Sequence, residues 1–311
     1  MGRKYIIYGA GKWGRIYYNF LKHLNRESLV IGFCDKRYYE ILQIEDKRVF
    51  SYEEAKEYNV PFIVSVRDSD KRNEICQMMD EDHVKYCNIE DIAEEIDMTR
   101  VEMNREFCAF YHIHNMDCYF EGAESENSLK KFWGADSEFK RCFQELDLTN
   151  VIELACGRGR HVSHYVEPAD EVTLVDILPQ NIEFCKERFK DKSNITYYQN
   201  NGYNLEKLEN DAYTALFCYD AMVHFEMMDI YDYLVDIYRV LVSGGKALLH
   251  HSNYDSDYRA SFENSVQSRS FMNEKIFAYL AYRAGFKILR QKIIDWGEDK
   301  ELDCISLLQK P

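Results

Sequence analysis

Residues 151–160 read Val151-Ile152-Glu153-Leu154-Ala155-Cys156-Gly157-Arg158-Gly159-Arg160. Val151–Leu154 is a short apolar run of the kind that fills a buried strand, and the paired glycines after it predict a tight turn leading into a helix. Glycines there let the backbone approach a ligand closely, and a helix start offers N–H groups with no partner inside the helix. The pattern repeats outward from this loop. A helix around Glu138–Leu146 precedes it. A strand, Glu171–Val175, ends at Asp176, and a helix, Pro179–Phe189, starts on a proline whose missing N–H costs nothing at that position. Strand Ile195–Tyr198 runs into Asn200-Asn201-Gly202, and strand Ala212–Cys218 runs into Tyr219-Asp220. Helix Ile230–Leu241 and a Ser243–Gly245 turn lead to strand Lys246–His250. A helix around Asn273–Ala284 and two strands, Lys287–Ile294 and Asp303–Gln309, close the chain. Strands alternating with helices predict a mostly parallel sheet.

A second loop of this type opens the chain. Lys4–Tyr8 reads as a strand, Gly9-Ala10-Gly11-Lys12-Trp13-Gly14 follows, and Trp13, Ile16, Tyr17, Phe20, Leu21 and Leu24 make a helical stripe. Strand Leu29–Cys34 ends at Asp35, 24 residues after Gly11. Strand Pro61–Val66 and helix Ser69–Met79 complete a unit that ends near Ile96. The fold class is therefore α/β, with two doubly wound domains: a small one over 1–96 and a larger one, with a mostly parallel sheet, over 136–311. Between them 97–135 reads as a partly helical connector rich in aromatic residues (Phe107, Phe110, Tyr111, Tyr119, Phe120), with Glu121–Ser128 as a polar turn.

Composition sets outer limits. The net charge of −15 repels phosphate backbones and anionic lipid, so neither nucleic acid nor a membrane is an expected partner. Apolar runs are far shorter than the roughly 18 residues a membrane span needs. The N-terminus enters a strand at once and lacks a signal-peptide pattern. Ten cysteines are scattered without a Cys-x-x-Cys pair, which points to reduced thiols and a cytoplasmic chain.

Asp176 stands 23 positions after Glu153, where an acid is placed to accept both hydrogen bonds of a ribose diol. The next two strand tips offer Asn201 and then Tyr219-Asp220. Successive tips on one edge of a parallel sheet make one crevice. VIELACGRGR, then LVDILPQNIEFCKERF, then FCYDAMVHFE and VLVSGGKALLHHSN resemble the Rossmann-like S-adenosylmethionine-dependent methyltransferases over about residues 136–311. That resemblance implies that Glu153, Ala155, Gly157 and Gly159 lie under the methionine part of S-adenosylmethionine. It implies that Asp176 holds the ribose, that Ile177 packs on adenine and that Asn201 meets the adenine amine. Tyr219 and Asp220 then face the reacting centre. Two positions depart from the family pattern: Ala155 replaces the first loop glycine, and Asn201 replaces an acid.

Methyl transfer needs alignment and, for some acceptors, a base. His224 lies just beyond the fourth strand tip and His250-His251 beyond the fifth, and histidine titrates near neutrality. His224 and His251 are the candidate bases, and Asn253 a candidate for orienting substrate. Asp220 is a base, a metal ligand or a cofactor partner, although no firm metal-ligand spacing exists and no metal is expected. The tail is similar to methyltransferases associated with sugars and surface polysaccharides, which implies a small-molecule or glycan acceptor. Tyr258, Arg259 and Arg269, in the 254–272 insertion, would suit an anionic group on it. The N-terminal Gly9, Gly11, Gly14 and Asp35 match a dinucleotide fingerprint, and the unit resembles small nucleotide-binding domains of sugar-pathway enzymes. A nucleotide there, an NAD(P)-dependent oxidoreductase served by that loop and a non-catalytic cofactor-binding module remain as alternatives. Oligomerisation is left open.

Overall fold

In a computed structural model of the protein, residues 3–115, 120 and 122–311 are described. They form two compact units, Met1–Phe110 and Tyr111–Pro311. The division falls inside a helix, Arg100–Asn115, so the segment expected as a connector is shared between the units. Tyr119 and Glu121 lie outside the described residues. The loop expected up to Ser128 stops earlier, because Ser125 accepts the Ser128 N–H and caps a helix over Glu126–Trp133.

The first unit carries a six-stranded sheet built from β1 (Tyr5–Tyr8), β2 (Val30–Cys34), β3 (Gln43–Ile44), β4 (Lys47–Phe50), β5 (Phe62–Val64) and β6 (Tyr86–Cys87), in the order β3-β4-β2-β1-β5-β6. Only β3 and β4 pair antiparallel; the other pairs are parallel. Strands β3, β4 and β6 escaped the sequence reading because such short segments carry no measurable period. From β1 the chain winds first toward β2 and β4, then back to β5 and β6, which puts the reversal point beside the tip of β1. Helix Lys12–His23 buries Ile16, Tyr17, Phe20 and Leu21, the stripe read from the sequence. A Cβ on Gly14 would stand 1.8 Å from the Gly9 carbonyl oxygen, so only glycine allows the helix to start this close to its loop.

The second unit holds a seven-stranded sheet: β7 (Asn150–Leu154), β8 (Glu171–Asp176), β9 (Ile195–Gln199), β10 (Tyr213–Cys218), β11 (Leu241–Ser252), β12 (Lys287–Trp296) and β13 (Asp299–Gln309). Their order is β12-β13-β11-β10-β7-β8-β9. Strands β7 to β11 are parallel, and β13 inserts antiparallel between β11 and β12. The Ser243–Gly245 turn is absorbed into β11 as a jump in register, from Tyr213 opposite Leu241 to Ala215 opposite Lys246. Alternate residues feed two apolar layers. Val151, Leu174 and Phe217 face Phe139, Phe143 and Tyr165 on one side. Ile152, Leu154 and Leu216 face Ile230, Leu234, Ile237 and Phe277 on the other. The reversal point lies between β7 and β10, at their carboxyl ends.

Replacing Gly14 with Ala should destabilise the protein by about 1–3 kcal/mol, through overpacking against the Gly9 carbonyl. Gly11, whose Cβ position meets nothing within 4 Å, is the control. Thermal unfolding of the two Gly→Ala variants tests this, and equal stability would show that the loop yields.

Candidate functional site

The loop after β7 does not open an α-helix as its sequence suggests. Residues 155–161 are turns, and only a short 3-10 helix, Val162–His164, follows. Val162 and Val166 are weaker helix formers than unbranched residues, and Pro168 disfavours helical torsions at its predecessor, so local preference gives a longer helix little support there. The loop therefore has no helix N-terminus to offer a ligand. It is shaped by left-handed residues instead: Ala155 at φ 57°, Gly157 at 55° and Gly159 at 76°. Ala155, a non-glycine residue at a left-handed torsion, carries a strain of about 1–2 kcal/mol. A Cβ on Gly159 would meet the Phe189 ring at 2.5 Å.

One carboxylate pins this loop. Asp176, 5% exposed, accepts the Gly157 N–H at 2.8 Å on Oδ2, and the Leu178 N–H at 2.9 Å and the Asn181 amide at 3.1 Å on Oδ1. Burial raises its pKa, and these donors pull against that rise. Glu153 points into the apolar layer and accepts the Tyr165 hydroxyl at 2.5 Å. Burial pushes it up to about 8, against the pull of Tyr165 and Arg160. At the tip of β9, Asn201 spends its Oδ1 on the Tyr203 and Asn204 N–H groups, so its amide N–H₂ is what remains for a ligand. Ile177 is half-buried beside Asp176.

Across the reversal point stands the tip of β10. Asp220 adopts φ 56° and takes an ion pair from Arg160 of the glycine loop at 2.9 Å. Tyr219 is buried against Phe132, Phe139 and the His250 ring. Arg160 escaped the sequence reading because its partner lies sixty residues away in the chain.

The candidate bases separate clearly. His224 donates from Nδ1 to the Ser268 carbonyl at 2.8 Å, and its Nε2 has no partner among the described residues. Burial, with Arg269 and His112 nearby, lowers its pKa to about 4, so its ring is neutral at neutral pH. Its neighbours include Phe262 at 5.4 Å and His112 at 6.1 Å. His112 comes from the segment whose spacing predicts a connector, so nothing in the sequence marks it as a neighbour of this site.

β11 turns its two histidines to opposite faces. His251 is fully buried, stacked on Phe277 at 3.7 Å, with Nδ1 on the Ser252 carbonyl and Nε2 on the Ser306 hydroxyl. Both nitrogens are engaged away from the crevice, a geometry that gives a base no access to substrate. Asn253 accepts the Glu274 N–H and donates to the Glu301 carbonyl. Arg269, 2% exposed, is locked onto Asp303 at 2.7 and 2.6 Å, so it is spent within the protein; Arg259 pairs with Asp257, and Tyr258 is 81% exposed. Among the described residues no group of three or more His, Cys, Asp or Glu is arranged to hold a metal ion, and no helix is long and apolar enough to cross a membrane.

In the first unit, Asp35 accepts the Ala10 N–H at 2.8 Å and the Arg37 N–H at 2.9 Å. Ser65 donates to the Tyr8 carbonyl, and Gly9 at φ 107° starts the turn.

Residues 151–245 match the model of a family described as a methyltransferase domain. That match spans about a third of the chain and speaks for a methyltransferase domain there; it does not favour the oxidoreductase alternative. No curated protein matches the sequence significantly. Among solved structures, a Pyrococcus horikoshii protein is similar at 18% identity and a TM-score of 0.43, covering 58% of this chain and 96% of its own. S-adenosylmethionine-dependent methyltransferases from Clostridium acetobutylicum and Mesorhizobium loti are similar at 16% and 14% identity, both with a TM-score of 0.46. They cover 62% and 55% of this chain, and 99% and 97% of their own.

The raised pKa of Glu153 has a direction that can be measured. The folded state holds this proton up to about pH 8, whereas an unfolded Glu releases it near pH 4.3, so its contribution is full below that value and is lost as pH rises toward 8. Glu153→Gln should therefore flatten the fall of stability between pH 5 and 8 by up to about 1.4 kcal/mol per pH unit. Denaturant titrations across that range check it, and an unchanged slope would place the ionisation elsewhere.

Proposed function

We propose that this chain transfers the methyl group of S-adenosylmethionine to a hydroxyl of a sugar, glycan or related small metabolite. The observation that carries the reading is the convergence of four consecutive strand tips at one reversal point, with Asp176 and Asp220 on facing sides of it. The residues fit the cofactor. The left-handed turns at Ala155, Gly157 and Gly159 bend the backbone under the methionine end, beside Glu153. Asp176 has only one donor on Oδ2, which leaves that oxygen able to accept from a ribose hydroxyl as well. Ile177 offers an apolar surface to the adenine. The Asn201 amide, having spent its oxygen, donates to a ring nitrogen rather than accepting from the amine.

S-adenosylmethionine, when bound, would supply a methyl on a positively charged sulfur, exchanging its S–C bond for a C–O bond to the acceptor with S-adenosylhomocysteine as the leaving product. His224 takes the acceptor's proton on Nε2, the lone pair being aimed by the Nδ1–H bond to Ser268. Tyr219 and the Arg160–Asp220 pair wall the reacting centre. A nucleotide at the N-terminal loop is a further assignment. The Asp35 carboxylate that ties down Ala10, and the open space beside Gly11, favour it.

Calorimetric titration of the full chain tests the cofactor. S-adenosylmethionine and S-adenosylhomocysteine should bind, and Asp176→Ala should weaken both by roughly tenfold or more. Silence of the native protein toward both would end the reading, and NAD and a nucleotide-sugar in parallel cells, with Asp35→Ala, probe the first unit. For the base, His224→Ala should cut kcat by about 10²–10⁴ while cofactor affinity holds. The acid limb of kcat should fall near pH 4 in the native protein and vanish in the variant; an unaltered profile would remove His224 from the proton transfer.

A further inference from the structure

A chain of buried polar contacts runs from β13 of the second sheet to the crevice, and the chemistry above uses only its last member. Arg269 grips Asp303 of β13 with two hydrogen bonds, at 2.7 and 2.6 Å. Asp303 also faces His250 Nε2 at 3.0 Å, across the diagonal that the register creates, since His250 lies opposite Ile305 and Ser252 opposite Asp303. On the other side of the ring, His250 Nδ1 receives the backbone N–H of Asp220 at 3.0 Å. A backbone N–H can only donate, so Nδ1 carries a lone pair and the ring proton sits on Nε2, where it donates to Asp303. The tautomer is thereby fixed by geometry from both ends.

The ring has no freedom to turn. Tyr219 stacks on it at 4.5 Å and Trp296 flanks it at 5.4 Å. Trp296 in turn lies under Arg269 at 5.1 Å. Asp303 and Arg269 are both buried. A buried ion pair is poor evidence for stability, because desolvation cancels much of the attraction, whereas an orienting role gives a reason to keep one. Burial works to raise the Asp303 pKa, yet His250 and Arg269 prevail and bring it to about 2. It is a carboxylate at any working pH and a permanent acceptor for the His250 proton.

What the ring holds is an unusual residue. Asp220 sits at φ 56°, a left-handed torsion that non-glycine residues take only when their surroundings impose it. Its N–H bonds to an imidazole nitrogen, and its side chain reaches Arg160 on the glycine loop.

We propose that His250 is a positioning residue for the cofactor crevice: oriented by the Arg269–Asp303 pair, it holds Asp220 in its left-handed turn and so sets the Arg160–Asp220 bridge that fixes the glycine loop. This rests on the cofactor reading above. It also gives His250, the first histidine of the His250-His251 pair, a task that does not require touching substrate.

Two substitutions in the full chain separate the halves of the ring. Asparagine places an amide oxygen where Nδ1 stands, and so keeps an acceptor for the Asp220 N–H. Glutamine places an amide nitrogen where Nε2 stands, and so keeps only the donor to Asp303. Titrated with S-adenosylhomocysteine, His250→Asn should stay within about threefold of the native affinity, while His250→Gln should lose roughly tenfold or more. Equal losses, or the reverse order, would overturn the proposal. A merely structural role would not sort the pair this way. ¹⁵N spectra of the native protein should show His250 protonated on Nε2 alone, and Asp303→Asn should blur that tautomer; a native ring protonated on Nδ1 would overturn the proposal as well. If the native protein fails to bind S-adenosylhomocysteine, the cofactor reading falls. The positioning role is then decided by hydrogen exchange at the Asp220 amide, protected in His250→Asn and exposed in His250→Gln. Protection in both would refute it. Should His250→Gln not fold, the tautomer in native protein and in Asp303→Asn decides in its place.

Discussion

The buried Asp176 carboxylate ties the glycine loop to the sheet, and the crevice depends on it. A loop of left-handed residues has few repeating hydrogen bonds of its own. Asp176 supplies an external anchor: one oxygen takes the Gly157 N–H, and the other takes the N–H of Leu178 and the amide of Asn181. The end of β7 and the start of the helix after β8 are thus fixed to one another by a single side chain. Placing a carboxylate in a buried position is costly unless its oxygens are satisfied, and here three donors offset that cost. The first unit uses the same device, with Asp35 at the end of β2 accepting the Ala10 N–H of the loop after β1. In each unit the acid that sequence spacing marks for a ligand also does internal work.

The same economy governs the charges of the second unit. The chain is acidic overall, with a net charge of −15, yet the carboxylates around the crevice are matched one by one. Asp220 meets Arg160, and Asp303 meets Arg269. Glu153 is handled differently: burial favours its proton, and Tyr165 donates to it. An unprotected carboxylate in such an apolar layer would repel its neighbours and draw in water. Pairing and protonation lower the cost of these buried carboxyls while leaving polar groups at the strand tips.

Much of the architecture was legible in residue order. The alternation of apolar runs with helical stripes marked β7 to β10, the helix Pro179–Arg188 between β8 and β9, and both glycine loops, because long elements with buried faces leave a strong period. Short strands such as Gln43–Ile44 left none. Candidate site residues divided along a similar line. Asp176, Asn201, Tyr219 and Asp220 follow strands directly, so their placement at one edge follows from a parallel sheet. His250 and His251 were marked as a pair, and alternation put them on opposite faces, but nothing local says which face meets what. The structure packs His251 against Phe277 and turns His250 toward Tyr219 and Asp303. Arg269, which the sequence offered to an anionic acceptor, is taken by a carboxylate from another strand.

The sequence by itself determined two α/β units, a glycine loop in each, an acid at each second strand tip and a polar residue at each tip that follows in the larger unit. These are consequences of period and of local backbone preference, which act over a few residues. Tertiary structure alone decided that His224 keeps a lone pair and that Arg160, Asp220, His250, Asp303 and Arg269 form one chain. Those outcomes depend on burial and on partners up to sixty residues apart, and a hydrogen bond is specified by where its two ends meet, which no local pattern encodes.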